Sequence, residues 1–199
     1  MPAAQFRLSD PSSRPRPGDL DEAERQVAAA DLIGAGQELL RARTLAFVEA
    51  HPDALWRTCG AGHLTGSAVV VDPPAGRVVL LHHRKLARWL QPGGHADGDG
   101  DLAGVALREA EEETGLRDLR VVTPAVDIDI HTIPAREGEP AHLHLDLRFV
   151  VLAPSGAAPV VNDESHDVRW VAEQDLDRYS AAAELRRLVR RGLDVASRL

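Results

Sequence analysis

Cysteine is nearly absent from this chain: Cys59 is the only one in 199 residues. An intrachain disulfide and a cysteine-built metal cluster are therefore excluded, and a reducing compartment, the cytoplasm, is the expected setting. Long apolar runs are missing too. No stretch approaches the roughly 18 apolar residues that a membrane-spanning helix needs, and the N-terminus carries no apolar signal core. The expectation is a soluble, unexported protein with no membrane partner. Basic charge is also in short supply, with 23 Lys and Arg against 31 Asp and Glu, a formal net charge of −8. A protein built to hold a nucleic acid backbone needs a basic surface, so a stable nucleic acid complex is not expected. A small nucleotide stays open as a ligand, because metal ions can bridge acids to phosphates. No internal repeat is visible. The length suits one domain with an extension, or two small ones.

What is present falls into three zones. Residues 1–18 hold Pro2, Pro11, Pro15 and Pro17 among Ser and Arg, the composition of a flexible tail. Residues 19–60 read as a helical extension. Asp19 or Asp21 caps a first helix running to about Leu32, and Gly34 and Gly36 interrupt. A second helix, about Gln37 to Glu49, ends at His51-Pro52. Its apolar face packs either on the rest of the chain or on a second subunit, as in a homodimer. From residue 61 to 199 the pattern changes to strands. Thr65–Val71 and Arg77–His83 flank the turn cluster Asp72–Gly76 and read as a hairpin. Arg88–Gln91 is a short strand. Leu119–Ile133, broken at Pro124, and His142–Leu152 alternate as half-buried strands do, and they form a second hairpin or meander. Val168–Val171 is a further strand, and Ala181–Leu199 is a basic amphipathic helix.

The stretch that organises the rest is Gly93-Gly94-His95 through Leu116. It reads as a loop entering a short helix with a run of carboxylates. At about 100° per residue, with Glu109 at zero, Glu112 falls near −60° and Glu113 near +40°. All three acids then share one face. Ala103, Ala106, Leu107 and Ala110 gather opposite, where small side chains let a helix sit close to a sheet. Gly115 is placed to end the helix. Clustered carboxylates repel mildly, and a hard divalent cation such as Mg²⁺ relieves that repulsion while binding substrate phosphates. Arg108, four residues before Glu112, is placed to hold its orientation.

This arrangement resembles the Nudix box of the Nudix hydrolase superfamily, of the MutT-like or ADP-ribose pyrophosphatase-like kind. That box is Gly, five residues, Glu, seven residues, then Arg-Glu-apolar-x-Glu-Glu-x-Gly-apolar. Gly94, Arg108, Glu109, Ala110, Glu112, Glu113, Gly115 and Leu116 fall in register. One position departs: the first Glu of the box is Gly100 here, between Asp99 and Asp101. The resemblance implies an α/β fold, an α/β/α sandwich with a mixed sheet, preceded here by the helical extension. It implies hydrolysis of a diphosphate bond in a small nucleoside diphosphate derivative. Glu109, Glu112 and Glu113 would bind Mg²⁺ or Mn²⁺. Arg108 would orient the glutamates, and Glu112 or the loop residue Glu164 would act as general base.

Other residues can carry chemistry nearby. His95 follows the Gly-Gly turn, and His142 and His144 share a strand face by period two. These three, with Arg84 and Lys85 just before the box, are the expected substrate-binding residues. Asp97–Asp101 looks like a calcium loop but lacks the glycine at loop position 6 (Leu102) and the acid at position 12 (Arg108), so an EF-hand is rejected. Asp99 or Asp101 caps the helix instead, and either stands near the place of the missing acid. Cys59 reads as a quiet buried thiol. Two alternatives stand beside hydrolysis. An isoprenoid diphosphate isomerase, on the same fold, uses histidines with glutamates around a metal, and His63 and His95 sit suggestively; it needs a cysteine close to His95, where glycines stand. A catalytically silent nucleotide-binding module is favoured by Gly100 and disfavoured by the intact Glu112-Glu113 pair.

Overall fold

Two periodicities decide the architecture: runs of alternating or β-branched residues become strands, and 3.6-residue apolar stripes become helices that cover them. The computed structural model describes residues 5–9, 17–136, 138–163, 165–179 and 181–199. Its elements are β1 (Arg7–Leu8), α1 (Leu20–Ala29), α2 (Ala35–Ala50), β2 (Gly62–Asp72), β3 (Arg77–His83), β4 (Arg88–Leu90), β5 (Gly93–His95), α3 (Leu102–Thr114), β6 (Arg120–Ile133), β7 (His142–Leu152), β8 (Ser165–Ala172), a 3-10 segment (Glu173–Tyr179) and α4 (Ala183–Ala196). The sheet runs β1-β6-β7-β2-β3-β4, with β5 added to β2 and β8 to β3. β2 and β7 are parallel, from Gly62↔Leu143 to Val71↔Leu152, and the other pairs are antiparallel. The sheet is therefore mixed, as expected.

Helices cover both faces. On one, Leu64, Ala68, Val70, Leu145, Leu147 and Phe149 pack with Ala103, Ala106, Leu107 and Ala110 of α3 and with Ala23, Val27 and Val48 of α1 and α2. On the other, Val69, Val71, Val150 and Leu152 pack with Leu185, Leu188, Val189 and Val195 of α4. The helical extension thus shares the core of the strand-rich part.

Most expected elements appear, with shifted ends. The first helix stops at Ala29, where Ala30 turns out of helical geometry, rather than near Leu32. Pro124 does not break its strand: β6 runs through, and the pairing with β7 slips between Val122 and Asp127. An extra-residue irregularity of that kind accommodates a residue that has no N–H to give. Within the expected flexible tail, Arg7–Leu8 pairs with Val122 and Thr123 at the sheet edge, and Pro17 bridges to Asp99. Residues 1–4 and 10–16 of that tail lie outside the described residues. Among the described residues no helix is long and apolar enough to cross a membrane.

Candidate active site

Helix α3 is fixed at both ends. The Asp101 carboxylate accepts the Gly104 N–H at 3.1 Å, and Gly115 adopts a left-handed conformation (φ 66°) that ends the helix. The extension reinforces the start: the Gln26 side-chain amide donates to Asp101 (2.8 Å) and accepts from the Ala103 N–H (3.0 Å).

The acids of α3 meet β5. Glu113 is buried, and its Oε2 accepts the Gly93 N–H at 2.9 Å. The Glu109 carboxylate lies directly against Gly94, where a Cβ would stand 2.4 Å from its Cδ. No residue but glycine fits there without displacing the carboxylate. Arg108 pairs with Glu109 (3.2 Å) and donates to the His95 carbonyl (3.4 Å). The expected hold on Glu112 is thus corrected: the guanidinium turns toward β5, where an acid and a carbonyl accept together. Glu112 is exposed, and its main-chain carbonyl accepts from Asn162 at 3.1 Å. Glu164, the other expected base, lies outside the described residues.

Gly100 has a packing reason. A Cβ there would sit 1.9 Å from the Asp19 carbonyl oxygen at the start of α1. The docked extension occupies the space that the box glutamate would need. Neither neighbour substitutes in kind: Asp101 is spent on the cap and on Gln26, while Asp99 accepts the Asp101 N–H and stands 4.0 Å from Arg108.

The histidines gather elsewhere. Register pairs His63 with His144 and His144 with His131, and it sets Thr65 opposite His95. Along β2, residues 64, 68 and 70 face α3, so His63, Thr65 and Ser67 face the α4 side. His95 and the β7 row His142, His144, Asp146 and Arg148 share that side. The expected substrate-binding histidines therefore come together, but on the sheet face opposite Glu109. Ring centroids lie 4.9 Å apart for His63–His95, 4.7 Å for His63–His144 and 4.9 Å for His95–His144. Burial, chiefly, pushes the pKa of His63 down to about 4 and of His144 to about 2, and lowers His95 as well.

Below the histidines runs a buried ionic row in which Asp127 and Asp129 share a strand face, as period two requires, and at whose centre stands Arg148, which local pattern does not mark. Arg148 binds Asp146 (2.7 Å), Asp129 (3.1 Å) and Asp127 (3.4 Å). Asp146 also accepts from Thr65 and Ser67, each at 2.8 Å, and Arg187 of α4 reaches Asp127 at 2.6 Å. Burial still drives the Asp127 pKa upward despite both guanidinium groups. The period-two row from His142 gives the face of Arg148 but not its partners.

Arg84 and Lys85 are exposed in the turn between β3 and β4, where Arg84 donates to the Ser165 carbonyl at 3.3 Å. Cys59 is a buried free thiol, as expected. A cleft of about 560 Å³ lies away from the glutamates, between α2, β6 and α4. Its arginines are already paired: Arg186 with Asp177, Arg187 with Asp127, Arg190 with Glu173, and Arg191 with Asp31 and Asp194.

Comparison with known proteins bears on these features. The model of the NUDIX domain matches residues 62–192. A search of curated proteins finds no match. Among solved structures, a C. elegans Ap4A hydrolase in a binary complex is 18% identical with a TM-score of 0.55, covering 68% of this chain and 98% of that one. The E. coli dihydroneopterin triphosphate pyrophosphohydrolase is 16% identical with a TM-score of 0.53, covering 66% and 95%. RenU, a Nudix hydrolase from M. smegmatis, is 22% identical with a TM-score of 0.51, covering 69% and 87%. At these identities the likeness is one of fold.

Proposed function

This chain belongs to the NUDIX domain family, and from that premise we propose that it is a pyrophosphohydrolase that cleaves the diphosphate bond of a small molecule built on a nucleoside diphosphate, using Mg²⁺ or Mn²⁺ held by Glu109, Glu112 and Glu113. The observation that carries the proposal is the seating of two carboxylates of α3 on consecutive residues of β5. Glu113 accepts the Gly93 N–H, and Glu109 packs on Gly94. Neighbouring carboxylates so placed offer hard oxygen donors, the set that Mg²⁺ and Mn²⁺ prefer. The substrates named for two structural neighbours, Ap4A and dihydroneopterin triphosphate, both contain phosphoanhydride bonds, which supports the substrate class.

A cation held by these glutamates would neutralise charge on the diphosphate and lower the pKa of water. The chain's own groups do the rest. Arg108 holds Glu109 through its ion pair and ties α3 to β5 through the His95 carbonyl. Glu112, on the solvent side of the helix, takes the proton of the attacking water, with Glu164 as the other carboxylate assigned to that task. Arg84 and Lys85 bind the outer phosphates as cations. The glycine at 100 is explained by the fit of Asp19, so the missing box acid is not read as lost activity.

The test is Glu112→Gln, assayed as phosphate release with added phosphatase across a panel of nucleoside diphosphate derivatives in Mg²⁺. Loss of a positioned general base lowers turnover by about 10²–10⁴-fold. A rate near wild type removes Glu112 from the mechanism.

A further inference from the structure

We propose that His63, His95 and His144 form a binding site for a divalent transition-metal ion of the zinc class, separate from the carboxylates of α3. One ring nitrogen of each histidine can be chosen so that all lie within 4.8 Å of one another. In a tetrahedral zinc site with Zn–N bonds of about 2.0–2.1 Å, neighbouring ligand nitrogens stand about 3.3 Å apart.

The second observation is His63 itself. It is 2% exposed, and neither of its ring nitrogens has a hydrogen-bond partner. A buried imidazole with both nitrogens unmatched carries a desolvation cost that proteins rarely leave standing. A metal ion on one nitrogen removes that cost where it arises. The neighbouring imidazoles differ in this respect. His142 sets its Nδ1 3.0 Å from the Pro140 carbonyl, and His131 sets its Nδ1 2.9 Å from Asp129. Those two form the surround, and the remaining three supply the ligands.

The chemistry of the donors selects the ion. Imidazole suits zinc, copper, nickel and iron, whereas Mg²⁺ and Ca²⁺ require oxygen. Ligand histidines bind through a neutral ring nitrogen, so binding should weaken in acid. Three protein ligands leave a fourth position open, as in zinc sites that bind water or substrate. Placement is rigid: His63 and His144 stand opposite one another in the β2–β7 ladder, and His95 is held by the β2–β5 ladder. Because Glu109 lies on the other face of β5, the two sites do not share ligands.

The experiment uses the full chain without an affinity tag, stripped with a chelator and titrated with Zn²⁺ and, separately, Co²⁺, in excess Mg²⁺. The expected result is one equivalent of Zn²⁺ per chain and a Co²⁺ form with the visible absorption of a tetrahedral site. His95→Gln and His144→Gln, checked for folding by circular dichroism, each weaken Zn²⁺ binding by roughly a hundredfold or more, beyond what loss of an outer partner costs. Glu112→Gln leaves Zn²⁺ binding unchanged. The proposal is overturned by Zn²⁺ binding that the folded histidine variants retain, by displacement with Mg²⁺, by loss of binding in Glu112→Gln, or by no binding at all. None of these outcomes bears on hydrolysis supported by Mg²⁺ at the glutamates.

Discussion

Replacing Gly100 with alanine isolates the contact between the helical extension and the box loop. The new Cβ would lie 1.9 Å from the Asp19 carbonyl oxygen and 2.8 Å from its carbon. Both are backbone atoms, so no side chain can swing aside. The segment must withdraw by about 1 Å to reach even the tightest tolerated contact, since a core packed to crystal-like density has no slack to absorb it. That movement breaks the Gly18 N–H to Gly98 carbonyl bond (2.7 Å) and disturbs the Gln26 bonds to Asp101 and Ala103. At about 0.5–1.5 kcal/mol for each hydrogen bond, the loss is about 2–4 kcal/mol. For a chain of this size the melting temperature falls by roughly 5–15 °C. Thermal unfolding followed by circular dichroism measures it directly. Gly100→Glu, which restores the box acid, is expected to destabilise at least as much and to gain no activity. A variant that melts with wild type would refute the reading that Gly100 exists to admit α1.

Further outcomes follow from the same geometry. Gly94→Ala places its Cβ 2.4 Å from the Glu109 carboxyl carbon, the far end of a flexible side chain. Stability should change little, while displacement of the carboxylate by about 1 Å lowers kcat by about a hundredfold; steady-state kinetics beside a melt separates the two effects. Arg148→Met removes the ion-pair partner of buried Asp146, while Asp127 keeps Arg187, and the uncompensated charge should cost about 3–5 kcal/mol in urea unfolding. For the metal-free protein, His63 has a pKa lowered from 6.5 to about 4 by burial. The unfolded chain therefore binds the proton first, and stability falls as pH drops from about 6.5 toward 4, by up to about 3 kcal/mol. Urea midpoints across that range should fall more steeply for wild type than for His63→Gln.

Local pattern carried most of the architecture. The period-two rows of β6 and β7 and the β-branched runs of β2 and β3 identify themselves, and Asp101 and Gly115 mark the ends of α3 by their own chemistry. What the pattern could not supply was long-range. The partner of Arg108 depends on where the β5 carbonyl lies, and helical spacing favoured Glu112 over the Glu109 actually engaged. The reason for Gly100 lies about 80 residues earlier in sequence, in the docking of α1. That His142 and His144 share a face was legible from alternation. That this face looks away from Glu109 is set by the register of β2 with β5 and β7, which no single stretch encodes. Arg148 was hidden for the same reason: its three acids come from two strands.

The most direct test of the account is the rate of phosphoanhydride hydrolysis as a function of Mg²⁺ concentration, for wild type and for the Glu109→Gln, Glu113→Gln double variant. The account predicts that wild type requires the cation and that the folded double variant loses at least about a thousandfold in rate at saturating Mg²⁺. Full turnover by that variant, or full turnover by wild type in chelator, would contradict it.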